Sequence, residues 1–91
     1  MKLVYSVRSL RHLQHIHDYI ARDNPAAARK VIERIRESTS RLTNFPYSGR
    51  SGPHGTRLLS VPGVPYIVVH RVRRDEVTIL TVLHSARNRQ F

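Results

Sequence analysis

The spacing of apolar residues changes along the chain, and this change limits the folds that the sequence can adopt. A short segment with strand-like alternation comes first, two segments with helical spacing follow, and three strand-like segments come last. In order, the six segments are residues 2–7, 9–22, 24–42, 56–61, 65–73 and 76–85. Because 91 residues are too few for two independent cores, we expect one domain spanning residues 1–91.

The first two segments predict a strand followed by a helix. Leu3, Tyr5 and Val7 alternate with polar residues, so they predict one face of a β-strand, and Ser9 is a candidate N-cap for the helix. The helix then has one apolar stripe, with His17 at its edge in a structural role; its members are Leu10, Leu13, Ile16, His17 and Ile20.

The second helix has stronger local signals. Asn24 is a good N-cap, and Pro25 suits the first helical position because that residue needs no N–H partner. Glu37 and Arg41 are four residues apart and predict a favourable surface pair. The buried stripe is predicted to contain Ala28, Val31, Ile32, Ile35, Thr39 and Leu42. The short connection between the two helices predicts an antiparallel hairpin.

The C-terminal half reads as a meander of strands. Residues 44–55 contain two prolines and three glycines, so we expect no regular element there. In residues 65–73, alternation places Arg71 and Arg73 on the face opposite Val68 and His70. The last segment is apolar on both faces, as in a central strand, with Val77, Ile79 and Leu83 on one face and Leu80 and Val82 on the other.

These elements predict an α+β fold of order β-α-α-β-β-β. The helical hairpin must bury its apolar stripe, and the sheet offers the only sizeable apolar surface. We therefore expect the hairpin on one face of a four-stranded, mainly antiparallel sheet, with the first strand beside the last. The other face is expected to be free for solvent, a target or a partner.

The charge balance points to an acidic partner. The chain has 16 Lys and Arg against 6 Asp and Glu, and 14 of the 16 are Arg, whose planar guanidinium can grip phosphate or carboxylate with two hydrogen bonds. There is no cysteine, which excludes disulfides and thiolate chemistry. No stretch approaches the roughly 18 apolar residues of a membrane span, and the N-terminus lacks a signal-peptide core, so we expect a soluble cytoplasmic protein.

Candidate functional residues concentrate late in the chain. A shared concave surface there would suit phosphates or an acidic protein segment, although a solvated basic surface is the alternative for each arginine. His84 ends the last strand before a basic tail and has two interpretations, a general acid or base or a structural side chain. The candidates are Arg50, Arg57, His70, Arg71, Arg73, His84, Arg87 and Arg89.

Other chemistries have little support. His12 and His15 are three residues apart on the first helix, but no third ligand is evident, so we expect an exposed, inert surface and no metal site. The carboxylates lie on predicted helix surfaces, caps and turns, and no phosphate-binding glycine motif is present. We expect no cofactor.

Several short motifs, in order along nearly the whole chain, resemble the RelE/ParE superfamily of type II toxin–antitoxin modules, and most of all its ParE-like, plasmid-stabilisation branch. They are Tyr19-Ile20 with Asn24-Pro25-Ala26-Ala27-Ala28, Phe45-Pro46 with Gly49-Arg50, Gly55-Thr56-Arg57, Pro65-Tyr66-Ile67-Val68-Val69, and Val82-Leu83-His84 with Ala86-Arg87.

The resemblance implies a toxin of the RelE/ParE fold, held in a hetero-oligomer by a cognate antitoxin with an acidic wrapping segment. ParE-like toxins inhibit DNA gyrase without a hydrolytic site, and contact with the target is then expected from Arg50, Arg57, His84, Arg87 and Arg89. RelE-like toxins cut mRNA on the ribosome, and Arg57, Arg71, His84 and Arg87 would then be catalytic. The C-terminal Tyr typical of the nucleases is missing, since no Tyr follows Tyr66. Whether the chain is an enzyme therefore stays open, as does a third hypothesis, a non-toxic basic nucleic-acid-binding module.

Overall fold

The computed structural model describes residues 1–86 and shows two helices against a five-stranded mixed sheet. The helices are α1 (Val7–Ala21) and α2 (Pro25–Arg41). The strands are β1 (Lys2–Tyr5), β2 (Arg50–Ser51), β3 (Arg57–Ser60), β4 (Tyr66–Arg73) and β5 (Glu76–His84), and a 3₁₀ turn covers Pro53–Gly55. Within the described residues, no helix has the length and apolar character needed to cross a membrane.

The first strand passes into α1 earlier than expected. The N-cap is Ser6, whose hydroxyl accepts from the Ser9 N–H and donates to the Leu80 carbonyl of β5. The predictions of Ser9 as the cap and of Val7 in the strand were therefore wrong. Ser6 is preferred because one hydroxyl both caps the helix and ties it to the sheet, whereas Ser9 is buried inside the helix.

The second helix follows its local signals closely. Asn24 caps it through a hydrogen bond from the Ala27 N–H, Pro25 takes the first position, and Leu42 is the C-cap, all as predicted. Four members of the predicted stripe are completely buried, and Val31 and Ile32 pack beside the core. The predicted pair between Glu37 and Arg41 was wrong, because the charged atoms of these two side chains do not come within 4.0 Å of each other. Two exposed side chains gain little from fixing one geometry.

The sheet order is β1-β5-β4-β3-β2. β1 lies beside β5, as predicted, and the two strands pair in parallel; the other neighbours are antiparallel. The predicted fold class is confirmed, but the sheet has one more strand than expected. The fifth strand and the 3₁₀ turn lie inside residues 44–55, where no regular element was expected, because Arg50 and Ser51 pair with the edge of β3.

A bulge in β5 changes which of its residues face the helices. Val69 pairs with Thr81, whereas the next residue of β4, His70, pairs with Ile79, so Leu80 has no partner on β4. The extra residue reverses the alternation beyond it. Val82 therefore joins the core with Val77 and Ile79, and the prediction that Leu83 would do so was wrong.

The helices cover one face of the sheet, and the core lies between these layers. Leu13 of α1 and Ile35 and Leu42 of α2 pack against β4 and β5 there. Leu10 is 46% exposed, contrary to its predicted place in the buried stripe, because it lies at the margin of the helix face. The opposite face is not left open as expected. Leu58 and Val69 are buried on that face, and a hydrogen bond from Arg71 to the His54 carbonyl holds the turn at Pro53–Gly55 against it.

Candidate functional site

The predicted site residues are distributed over different parts of the sheet. Arg50 is exposed on the edge strand β2, and Arg57 begins β3 on the helix-covered side, level with His70. Arg71 is next to His70 on β4, so alternation directs its side chain to the opposite face, as predicted. His84 is the last residue of β5. Arg87 and Arg89 lie outside the described residues.

Arg57 is held by the loop that follows α2. Its Nη2 donates to the Gly49 carbonyl at 3.0 Å, and its guanidinium lies 5.9 Å from the centre of the Tyr47 ring, within the range of a cation–π contact. Its Nε is buried and has no hydrogen-bond partner. These contacts fix the Arg57 guanidinium against residues 47–49.

His70 holds the same loop from the next strand. It is completely buried, and its Nε2 lies 2.9 Å from the carbonyl oxygen of Pro46. Because a carbonyl can only accept, Nε2 carries the proton and Nδ1 has the lone pair. Nδ1 is buried without a partner. Burial, and secondarily the positive charge of Arg57, lower the pKa of His70, so the ring is neutral at physiological pH. Its predicted grouping with the surface arginines does not hold.

Arg71 belongs to a different surface. Its Nη2 donates to the His54 carbonyl at 3.0 Å, which fastens the 3₁₀ turn to the second face of the sheet. A shallow depression of about 340 Å³ lies beside it, bounded also by Arg8 and Thr81.

His84 lies at the far end of the sheet from Arg57. Its ring meets the Tyr66 ring edge to face, with centroids 5.4 Å apart, and its Nδ1 accepts from the Ala86 N–H at 3.2 Å. On β4, His84 pairs with Tyr66 and Arg57 pairs with His70. Tyr66 and His70 are four residues apart. At about 3.3 Å per residue they are separated by roughly 13 Å along the strand.

The three described members of the proposed nuclease set therefore do not converge. Arg57 and Arg71 project to opposite faces, and His84 is at the other end of the sheet. A general acid or base must reach the reacting group at hydrogen-bond distance, and the charge-stabilising donors must reach the same atoms. Within residues 1–86 this set forms no common site for a phosphodiester.

The structure does assemble a groove that the sequence did not predict. It has a volume of about 540 Å³ and lies between α1 and the ends of β4 and β5. The polar side chains lining it are Arg8, His12, His15, Tyr19, Tyr66 and His84. The available signal was the spacing of His12, His15 and Tyr19, which places all three on one side of α1.

His12 was wrongly expected to be an inert surface residue. Its Nδ1 hydrogen-bonds to the Thr81 hydroxyl, so the side chain ties α1 to β5 beside the bulge. His17 is half-buried, as expected at the edge of the apolar stripe, and its Nδ1 lies 3.2 Å from the Asp18 carboxylate. Among the described residues, no three His, Asp or Glu side chains are placed to hold a metal ion.

The Arg and Lys side chains of residues 1–86 form no salt bridges with carboxylates in that part of the chain. In residues 1–86, the pair between His17 and Asp18 is the only salt bridge, and no Arg or Lys lies within 4.0 Å of a carboxylate. Residues 38–74 contain no Asp or Glu, but they include six of the fourteen arginines. Such a surface favours binding of an acidic partner.

Comparisons with known proteins identify the family. The model of the ParE toxin of the type II toxin–antitoxin system parDE matches residues 3–89. Y4kP of Sinorhizobium fredii, which is named as a toxin, is 41% identical over 85 residues, covering 92% of this chain and 88% of Y4kP. Toxin RelE2 of Caulobacter vibrioides is 32% identical over 87 residues, covering 94% of this chain and 97% of the relative.

The fold leads to the same family. A solved structure of the chromosomal ParDE toxin–antitoxin system from P. aeruginosa superimposes with a TM-score of 0.81 at 27% identity, covering 92% of this chain and 95% of that one. The element order, the helical hairpin on the sheet and the match over nearly the whole length agree. The chain therefore belongs to the ParE toxin family of type II toxin–antitoxin systems.

Proposed function

We propose that this protein is a toxin that arrests growth by binding DNA gyrase, not by cutting RNA. The observation that carries the proposal is the dispersal of Arg57, Arg71 and His84 over two faces and two ends of the sheet. A binding protein needs no convergent catalytic set, and membership of the ParE family supports the same interpretation. Of the predicted target contacts we retain Arg50, Arg57, Arg87 and Arg89. We assign the fifth, His84, to the groove beside α1 that it lines.

The proposal includes neutralisation by a cognate antitoxin in a hetero-oligomer. The groove beside α1 suits an acidic segment of such a partner, because Arg8, His12 and His15 line it and no carboxylate of residues 1–86 does. The solved relative is a ParDE system, which supports a partnership of this kind. Gyrase acts in the cytoplasm, so the toxin is placed there as well.

The test is induction of the protein without its antitoxin, followed by two parallel measurements. Supercoiling of relaxed plasmid by purified gyrase is expected to fall as toxin is added, and induced cells are expected to filament while translation continues at first. Normal supercoiling in the presence of excess toxin that still arrests growth would refute the choice of gyrase.

The alternative is a ribosome-dependent mRNA endonuclease, which is favoured by one finding, the 32% identity to Toxin RelE2. It predicts rapid loss of translation with cut transcripts, and His84→Ala and Arg87→Ala should then abolish toxicity. If both variants remain fully toxic, the nuclease is excluded. Expression of the wild type without any growth arrest would instead support a non-toxic basic binding module.

A further inference from the structure

The loop between α2 and β2 exposes two aromatic side chains. Phe45 is 66% exposed and Tyr47 is 64% exposed, and Pro46 stands between them. A large apolar ring left in water forgoes the roughly 1.5–3 kcal/mol that its burial would contribute. Aromatic side chains held in this way are typical anchors of protein–protein interfaces.

The exposure is not a result of a loose loop, since the backbone is tied down at several points. The Phe45 N–H donates to the Arg41 carbonyl at 2.9 Å, and the Ser48 N–H and hydroxyl both donate to the Phe45 carbonyl. Pro46 and Gly49 are held from the sheet by His70 and Arg57. An interface loop that is already ordered loses little conformational entropy on binding.

The surroundings define the chemistry of the partner. Arg41 precedes the loop, Arg50 follows it and Arg57 lies against the Tyr47 ring. The loop and both of its flanks lie within residues 38–74, which contain arginines but no Asp or Glu. An apolar pocket with carboxylates around its rim would complement both features.

We propose that the Phe45–Tyr47 loop is the anchor by which this toxin docks on its target protein, inserting the two rings into an apolar pocket with an acidic rim. This inference rests on the proposed function, because it assigns a surface to the same act of target binding. The antitoxin groove is a separate surface, lined by α1 and by Tyr66 and His84 at the opposite end of β4 and β5.

The experiment compares Phe45→Ala and Tyr47→Ala with Val7→Ala, a matched control at a 66% exposed apolar position on α1 that lines neither surface. Each protein is titrated by inducer level for growth arrest and by concentration for inhibition of gyrase supercoiling. Circular dichroism melts confirm that all three are folded. Each loop variant is expected to need at least tenfold more protein for half-inhibition, whereas Val7→Ala stays within twofold of the wild type. Arg50→Glu should also weaken inhibition and reduce its dependence on salt.

The outcomes separate this inference from the function on which it rests. Folded loop variants that arrest growth as well as the wild type would overturn the anchor. An Arg50→Glu variant with unchanged potency and salt dependence would overturn the acidic rim. If the wild type arrests growth but leaves gyrase unaffected, gyrase is the wrong target, and the growth titration still judges the anchor. A wild type that never arrests growth would overturn both.

Discussion

Replacement of Gly49 by alanine tests how the loop and the edge strand are joined. Gly49 has a φ of +90°, which L-residues adopt at a cost of about 1–2 kcal/mol. An added Cβ would also overlap the Leu58 carbonyl oxygen and lie 2.9 Å from its carbon, both of them backbone atoms of β3. Backbone in a paired strand cannot move aside as a flexible side chain can, so the chain must relieve the overlap in another way.

The least costly relief is detachment of β2. This breaks its two-residue pairing with β3 and the hydrogen bond from Arg57 to Gly49. At about 1 kcal/mol per hydrogen bond, detachment costs roughly 2–3 kcal/mol. We therefore expect Gly49→Ala to lower the free energy of unfolding by about 2–3 kcal/mol, or Tm by roughly 10–20 °C for a domain of this size.

Gly55→Ala is the matched control. Gly55 also has a positive φ, +74°, but an added Cβ would meet nothing within 4 Å. Only the conformational strain remains, so we expect a loss of about 1 kcal/mol and a fall in Tm of roughly 5 °C. Urea unfolding followed by circular dichroism gives the free energy of unfolding of both variants. If Gly49→Ala destabilises no more than Gly55→Ala, the close approach to Leu58 is not a constraint and the reasoning is refuted.

Three further predictions concern the core, a helix cap and pH. Ile35→Ala, at a completely buried site, should lower the free energy of unfolding by about 2–5 kcal/mol in urea titrations, and a loss below 1 kcal/mol would contradict the described core. Asn24→Ala should cost about 1 kcal/mol, whereas Asn24→Ser, which retains a capping oxygen, should cost less in the same assay. The pKa of His70 is lower in the folded protein than in the unfolded chain, so as pH falls the unfolded chain binds a proton at this site before the folded protein does. The free energy of unfolding should therefore decrease as pH drops below the unfolded value near 6.5. His70→Asn should reduce that slope between pH 7 and 5, and an unchanged slope would show that other groups cause it.

The two helices differ in how well their first residues could be predicted from the neighbouring sequence. Asn24 and Pro25 start α2 through contacts within one turn, so their residue types were sufficient to place that start. The start of α1 was misplaced because Ser6 is favoured by its bond to Leu80, which is 74 residues away in the sequence. A helix cap that is stabilised by a distant strand cannot be identified from the residues around it.

The candidate site shows the same limit more strongly. Alternation predicted correctly that Arg71 and His70 project to opposite faces of β4. It did not show that Pro46 covers His70 or that the guanidinium of Arg57 is committed to Gly49, because both contacts are made by a loop whose path depends on the packed sheet. The groove beside α1 was likewise missed, since Tyr66 and His84, two of its six polar lining residues, come from strands far along the chain.

The sequence by itself determined the α+β class, the helical hairpin, the order of four of the five strands and the cationic character that favours an acidic partner. These follow from residue type and spacing over a few residues, and charge adds up in any conformation. Only the tertiary structure decided where those charges face. The bulge at Leu80 reverses the alternation of β5, and the loops cover His70 and part of the second face. The physical reason is that the direction of each side chain depends on pairing and packing between segments far apart in the chain.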